Sequence, residues 1–167
     1  MEEGDIWLER YDGQNLDELI KLQTTHRVDS LVLTIESVLD ERKDSGIKMS
    51  EEELVILAVE SFERQVDNGG FCQFFYNSSV EYAPIIVSSL QKIGCNEVAA
   101  LMTKAIELLD VEFLDRDVIL ERINSFDEEL ENALGELDDV YFNETNDIPT
   151  YALFGYIKNN RECINLK

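Results

Sequence analysis

Asn68-Gly69-Gly70-Phe71-Cys72-Gln73-Phe74-Phe75-Tyr76-Asn77-Ser78-Ser79 joins two long amphipathic patterns and is the densest run of conformationally specialised residues in the chain. Gly69 and Gly70 can take positive φ without a Cβ penalty, and Asn68 tolerates the same region, so a helix arriving from upstream is expected to stop there. Phe71, Phe74 and Phe75 recur at i, i+3, i+4, which places three rings on one face of a short helical turn. That face belongs in a core. Asn77, Ser78 and Ser79 are capping candidates, and Ser78 with Glu81 has the spacing of a capping box for the next helix.

The flanking sequence is helical on both sides. Upstream, Val28, Leu31, Val32, Ile35, Val38 and Leu39 follow the 3.6-residue period, with Gly46 just past the charged end. Asn15 with Glu18 and Ser50 with Glu53 are capping boxes, the second opening a helix through Leu54, Leu57, Ala58, Phe62 and Val66 to the central glycines. Trp7 is expected to staple the N-terminal tail, residues 1–14, to the body. Downstream, Pro84 fits a first helical turn, Gly94 ends the next helix, and Asn96 is expected to cap the stripe Val98, Leu101, Met102, Ala105, Leu108, Leu109. A short helix around Val118–Ile123 follows, then one from Asp127 to about Asn143 with Leu130, Leu134, Leu137 and Tyr141 inside, where Gly135 is a weak point. Asp147 and Pro149 start the last helix. No period-2 strand, repeat or low-complexity linker interrupts this series. The fold predicted is a single all-α domain over residues 1–167, a bundle of roughly seven to nine helices.

Composition narrows the function. With 44% hydrophobic residues the chain can build a core, yet 36 Asp plus Glu against 14 Lys plus Arg give a net charge of −22. Such a field repels nucleic acid and acidic lipid and attracts basic partners. Cys72, Cys95 and Cys163 are an odd set without Cys-x-x-Cys spacing, and no signal-peptide or transmembrane run opens the chain, so a reduced cytoplasm is the expected setting. His26 is the only histidine and reads as a helix-terminus residue. Cys72 has no neighbouring Lys or Arg in sequence to activate it and reads as a packed thiol. No phosphate-binding loop, nucleophile elbow or calcium loop is present, and no cofactor, metal-ligand set or catalytic residue is assigned.

The distinctive polar feature lies near the C-terminus. Between Arg122 and Lys158 there is no basic residue, while Asp127, Glu128, Glu129, Glu131, Glu136, Asp138, Asp139, Glu144 and Asp147 all fall there. At about 100° per residue the apolar side chains of the 127–143 helix share one arc, and its acids spread over the opposite side. Like charges one turn apart destabilise a helix by about 0.2 to 0.5 kcal/mol per pair, so an acidic face of this kind works against folding.

The motifs Asn68-Gly69-Gly70-Phe71, Gln73-Phe74-Phe75, Asn77-Ser78-Ser79, Tyr82-Ala83-Pro84 and Ile93-Gly94 resemble those of a bacterial DNA-mimic protein family first catalogued as a domain of unknown function. Arg27, Asp29-Ser30-Leu31-Val32-Leu33 and Ala58-Val59-Glu60 extend the resemblance, which covers about Tyr11 to Asn160. It implies an all-helical fold and an acidic surface that occupies the DNA-binding face of a helix-turn-helix regulator. The shared motif reads as a folding device, so it speaks to fold before activity. The expected binding face is Asp127, Glu128, Glu131, Glu136, Asp138 and Asp139, and the expected partner is a basic DNA-binding protein, with the chain a monomer or homodimer. Two rivals stand beside this reading: an inhibitor of a basic nuclease, which needs the same charge complementarity, and an enzyme using a polar site at Asn68, Gln73 and Asn77.

Overall fold

The structure is a computed structural model describing residues 4–167. Among the described residues eight α-helices follow one another: α1 (Leu16–Lys21), α2 (Val28–Asp44), α3 (Glu51–Tyr76), α4 (Ile86–Lys92), α5 (Asn96–Leu109), α6 (Arg116–Ile123), α7 (Glu128–Glu144) and α8 (Pro149–Asn159). Short 3-10 turns at Leu22–Thr24, Ser78–Tyr82 and Arg161–Cys163 complete the regular structure. The fold is an all-α bundle, with no strand among the described residues. No described helix is long and apolar enough to cross a membrane.

The bundle is built around α3, against which α2, α4, α6, α7 and α8 all pack. At the glycines α3 kinks and then resumes: Gly69 is extended, and Gly70 has φ 74° and ψ −173°. Phe71, Phe74 and Phe75, just beyond the kink, are fully buried, as is Phe62 before it. The kink folds the second half of the helix back toward the first. Phe62 therefore meets Phe74 at 5.8 Å and Tyr141 of α7 at 6.0 Å, both edge-on, the geometry aromatic quadrupoles favour. The buried side chains form one contiguous core.

Several ends are capped differently from what local spacing suggests. The boxes at Asn15 and Ser50 form as expected. Ser78 makes no cap: the 3-10 turn that starts there has no side-chain cap, and Ser79 Oγ donates instead to the Phe74 carbonyl at 2.7 Å. Glu81 of the anticipated box pairs with Lys43 at 2.7 Å. Asn96 does not cap α5 either, since it is already the first helical residue. Asp147 does so from 50 residues further along the chain, accepting from the N–H groups of Glu97 and Val98 at 2.8 and 3.1 Å. This removes Asp147 from the start of α8, where Pro149 opens the helix after Ile148.

The N-terminal segment is held by its backbone rather than by an indole. Ile6 bridges His26, with Ile6 N–H donating to Thr25 and Arg27 N–H to Ile6, and Leu8 N–H donates to Ser30 Oγ. Trp7 is 45% exposed, with the Arg27 guanidinium 5.5 Å from its ring centroid. At the other terminus, Ile164 and Leu166 are buried, and the Glu53 carboxylate accepts from Asn165 N–H and from Arg42. The Ser50 box thus also anchors the C-terminal segment.

Candidate acidic interaction site

Two acidic surfaces stand out. The first is α7. Asp127 accepts from the N–H groups of Glu129 and Leu130 and pairs with Arg122 at 2.9 Å, so it serves as the helix cap. Asp138 turns inward: its carboxylate accepts from the Phe71 N–H at 2.8 Å, and a Cβ on Gly70 would collide with it. This carboxylate caps the second half of α3, which starts just after the kink. Glu128, Glu131, Glu136 and Asp139 are exposed, and their carboxylates make no hydrogen bond or ion pair among the described residues. Of the six face residues expected from sequence, the structure leaves four on the surface and gives Asp127 and Asp138 structural duties.

Leu130 and Leu134 supply the buried side of α7, with Leu137 and Tyr141 partly buried beside them. This packing fixes the rotation of the helix and so turns the four acids outward. Glu128 with Glu131, and Glu136 with Asp139, are three residues apart, about 5 to 6 Å between neighbouring side-chain origins.

The second surface lies where α2 meets α3. Asp29, Leu33, Glu36 and Asp40 recur at helical spacing along α2, and Glu60, Glu63 and Asp67 do so along α3. The two rows flank a cavity of about 380 Å³ lined by Trp7, Asp29, Leu33, Glu60, Glu63, Arg64, Asp67 and Thr150. Arg64 pairs with the buried Glu36 at 2.6 Å, and Arg27 pairs with Asp29 at 2.5 Å. Thr150 Oγ1 donates to the Glu63 carboxylate at 2.7 Å. The carboxylates of Glu60 and Asp67 make no hydrogen bond or ion pair among the described residues.

Burial, reinforced by the charges of Glu63 and Glu36, pushes the Glu60 carboxyl up to about 7. Burial also raises Glu63, Asp67 and Glu36, the last against the pull of Arg64. Burial is the first cause of each shift, like-charged neighbours add to it at Glu36, Glu60 and Glu63, and Asp67 keeps an exposed position at the rim. The sequence reading missed this surface, although acid stripes on both arms of the Val28–Val66 hairpin were its available signal.

The polar residues of the central stretch are occupied by the preceding turns of α3. Asn68 Nδ2 donates to the Arg64 carbonyl, and Gln73 Nε2 and Asn77 Nδ2 both donate to Gln65 Oε1, at 2.9 and 2.6 Å. They line neither the α2–α3 cavity nor the larger one, about 570 Å³, between α1 and the C-terminal segment. That larger cavity mixes Lys21, Arg161 and Lys167 with Asp17 and Glu162, so it has no dominant sign. Cys72 is half-buried, and burial together with Glu131 and Asp138 raises its pKa, the opposite of an activated thiol. No group of three or more Asp, Glu, His or Cys among the described residues has metal-binding geometry.

The fold and its surfaces define an all-α, strongly acidic protein whose central helix is kinked at a Gly-Gly pair. The family described as DMP19-like protein matches residues 47–160, from the turn before α3 to the end of α8, and the chain belongs to that family. The match leaves α1 and α2 outside it, so the upstream part of the resemblance, Arg27 and Asp29 to Leu33, lies beyond the matched span. No curated protein and no solved structure matched the chain.

Proposed function

We propose that this protein is a non-enzymatic DNA mimic: an acidic ligand for the DNA-binding face of a basic helix-turn-helix regulator, which it keeps from DNA. The observation that carries the reading is the set of exposed acids on α7, held outward by Leu130 and Leu134 and with no cation paired to them among the described residues. Carboxylates spaced by a helical turn offer Arg and Lys side chains the repeated negative charge that they otherwise find on phosphates. The chain-wide charge of −22 adds attraction at a distance and speeds encounter with a basic partner.

Immobilised protein should enrich basic DNA-binding proteins from a lysate of its source cells at low salt. Glu128→Lys with Glu131→Lys should weaken that capture while preserving the fold, because neither side chain has a hydrogen-bond or ion-pair partner among the described residues. The comparison is Glu9→Lys with Glu162→Lys, the same charge change at exposed positions off α7. Equal loss from both pairs would mean that only net charge matters and would remove α7 as the recognition surface. Capture of neutral or acidic enzymes in place of basic proteins would oppose the reading as a whole.

A further inference from the structure

The α2–α3 groove has a composition that charge repulsion from nucleic acid does not require. It is concave, one wall is apolar through Trp7 and Leu33, and its carboxylates lie beside that wall. Two guanidinium groups of the chain already show what this surface accepts. Arg27 stands over the Trp7 ring while pairing with Asp29, and Arg64 pairs with Glu36. Both cations are engaged, whereas Glu60 and Asp67 make no ion pair among the described residues.

A guanidinium fits such a groove better than an ammonium. It is planar, carries five N–H donors in a fixed fork, stacks on aromatic faces and is weakly hydrated, so it enters a partly dry site more readily. Its aliphatic stem covers apolar surface while its head pairs with carboxylate. Glu63 retains acceptor capacity beyond the one hydroxyl it receives from Thr150.

We propose that this groove seats an arginine side chain of the basic protein partner, with Glu60 and Glu63 accepting its N–H donors, Asp67 adding attraction, and Trp7 and Leu33 packing on its stem. The inference rests on the reading of the chain as a ligand for a basic protein, and it adds a specific anchor to the charge presented by α7. The seat is also pH-dependent. Glu60 is faced by Glu63, Arg64 and Asp67 from α3 and by Glu36 from α2, with Asp29 and Asp40 of α2 one step further out. Thr150 of α8 and Trp7 of the N-terminal segment complete the lining and do not titrate. Protonation of Glu60 below about pH 7 removes the charge of one of the seat's two acceptors.

Trp7 is the only tryptophan in the chain, so its fluorescence reports on the groove directly. The intact protein is titrated at low salt with Nα-acetyl-arginine methylamide, and separately with the uncharged citrulline analogue. At pH 8 the arginine probe should give a saturable change with half-saturation on the order of millimolar. Binding should weaken about tenfold at pH 6, as the ionised fraction of Glu60 falls. Glu60→Gln with Asp67→Asn should weaken it by about tenfold or more at pH 8, whereas Glu112→Gln with Glu162→Gln, exposed acids outside both acidic surfaces, should leave it unchanged. If the Glu60/Asp67 variant melts below the parent, Glu60→Gln alone and the pH comparison on the parent carry the test.

No saturable response, an equal response to citrulline, or equal losses from the two variants would overturn the proposal. The titration needs no partner protein. A failed titration with intact competition against DNA removes the arginine seat alone, and a successful titration with failed competition removes the mimicry alone.

Discussion

Gly70 and Asp138 act as one unit although 68 residues separate them. Gly70 has positive φ and the Asp138 carboxylate lies where a Cβ would be, so Gly70→Ala combines backbone strain with a steric collision. Asp138→Ala leaves the Phe71 N–H without its acceptor, a loss of about 0.5 to 2 kcal/mol typical of an N-cap. We expect both variants to melt below the parent. Asp138→Ala at parental stability would show that Asp138 serves the surface and not the kink.

Glu60 makes the opposite kind of contribution. Its pKa in the fold, raised to about 7, exceeds that of an ordinary carboxyl, so the native state holds this proton more tightly than the unfolded chain. Its contribution to stability is complete below about pH 4.5 and is lost as pH rises through about 7. Glu60→Gln should therefore stabilise the protein by about 1 to 3 kcal/mol at pH 8 and have little effect near pH 4.5. Denaturant melts at the two pH values measure this, and equal effects at both would contradict a strained Glu60. Glu53 runs the other way: burial opposes its charge, but hydrogen bonds from Asn165, Ser50 and Arg42 hold its pKa below the usual value. Its stabilisation is present at neutral pH and is lost as pH falls through that depressed value.

Among the elements, α3 carries the fold. Phe74→Ala should cost about 3 to 5 kcal/mol, since its ring is fully buried between Phe62 and Phe75. A Phe74→Ala protein with an unchanged melting midpoint and lost partner binding would turn the central stretch into a recognition site. The phenylalanine spacing and the boxes at Asn15 and Ser50 were legible in sequence because each is complete within one or two helical turns. The caps from Asp138 to Phe71 and from Asp147 to α5 were not, because their two halves lie 67 and about 50 residues apart. Spacing rules reach only neighbours on one element. The acidic side of α7 was readable as a whole, but which acids it leaves free depended on contacts made elsewhere. Asp147→Ala should destabilise the protein by about 0.5 to 2 kcal/mol through the end of α5, leaving the start of α8 intact. Hydrogen exchange localised to Glu97 and Val98 would locate that effect; exchange increased at Tyr151 and Ala152 instead would contradict the assignment.

At the scale of the molecule, 36 acids against 14 bases are distributed over a bundle whose core is otherwise ordinary. The groove between α2 and α3 illustrates what no single stretch reveals, because its two acid rows meet only when the hairpin closes. Binding to a basic partner should weaken as salt rises, since exposed pairs are screened over about 8 Å at physiological ionic strength. Salt sensitivity alone does not distinguish mimicry from simple attraction; sharing of one binding face does. The direct measurement is a gel-shift titration in which this protein is added to a preformed complex of the captured regulator and its labelled operator. Mimicry predicts that free DNA appears in proportion to added protein, because the same Arg and Lys side chains cannot hold carboxylates and phosphates together. A slower-migrating ternary complex of protein, regulator and DNA would contradict it.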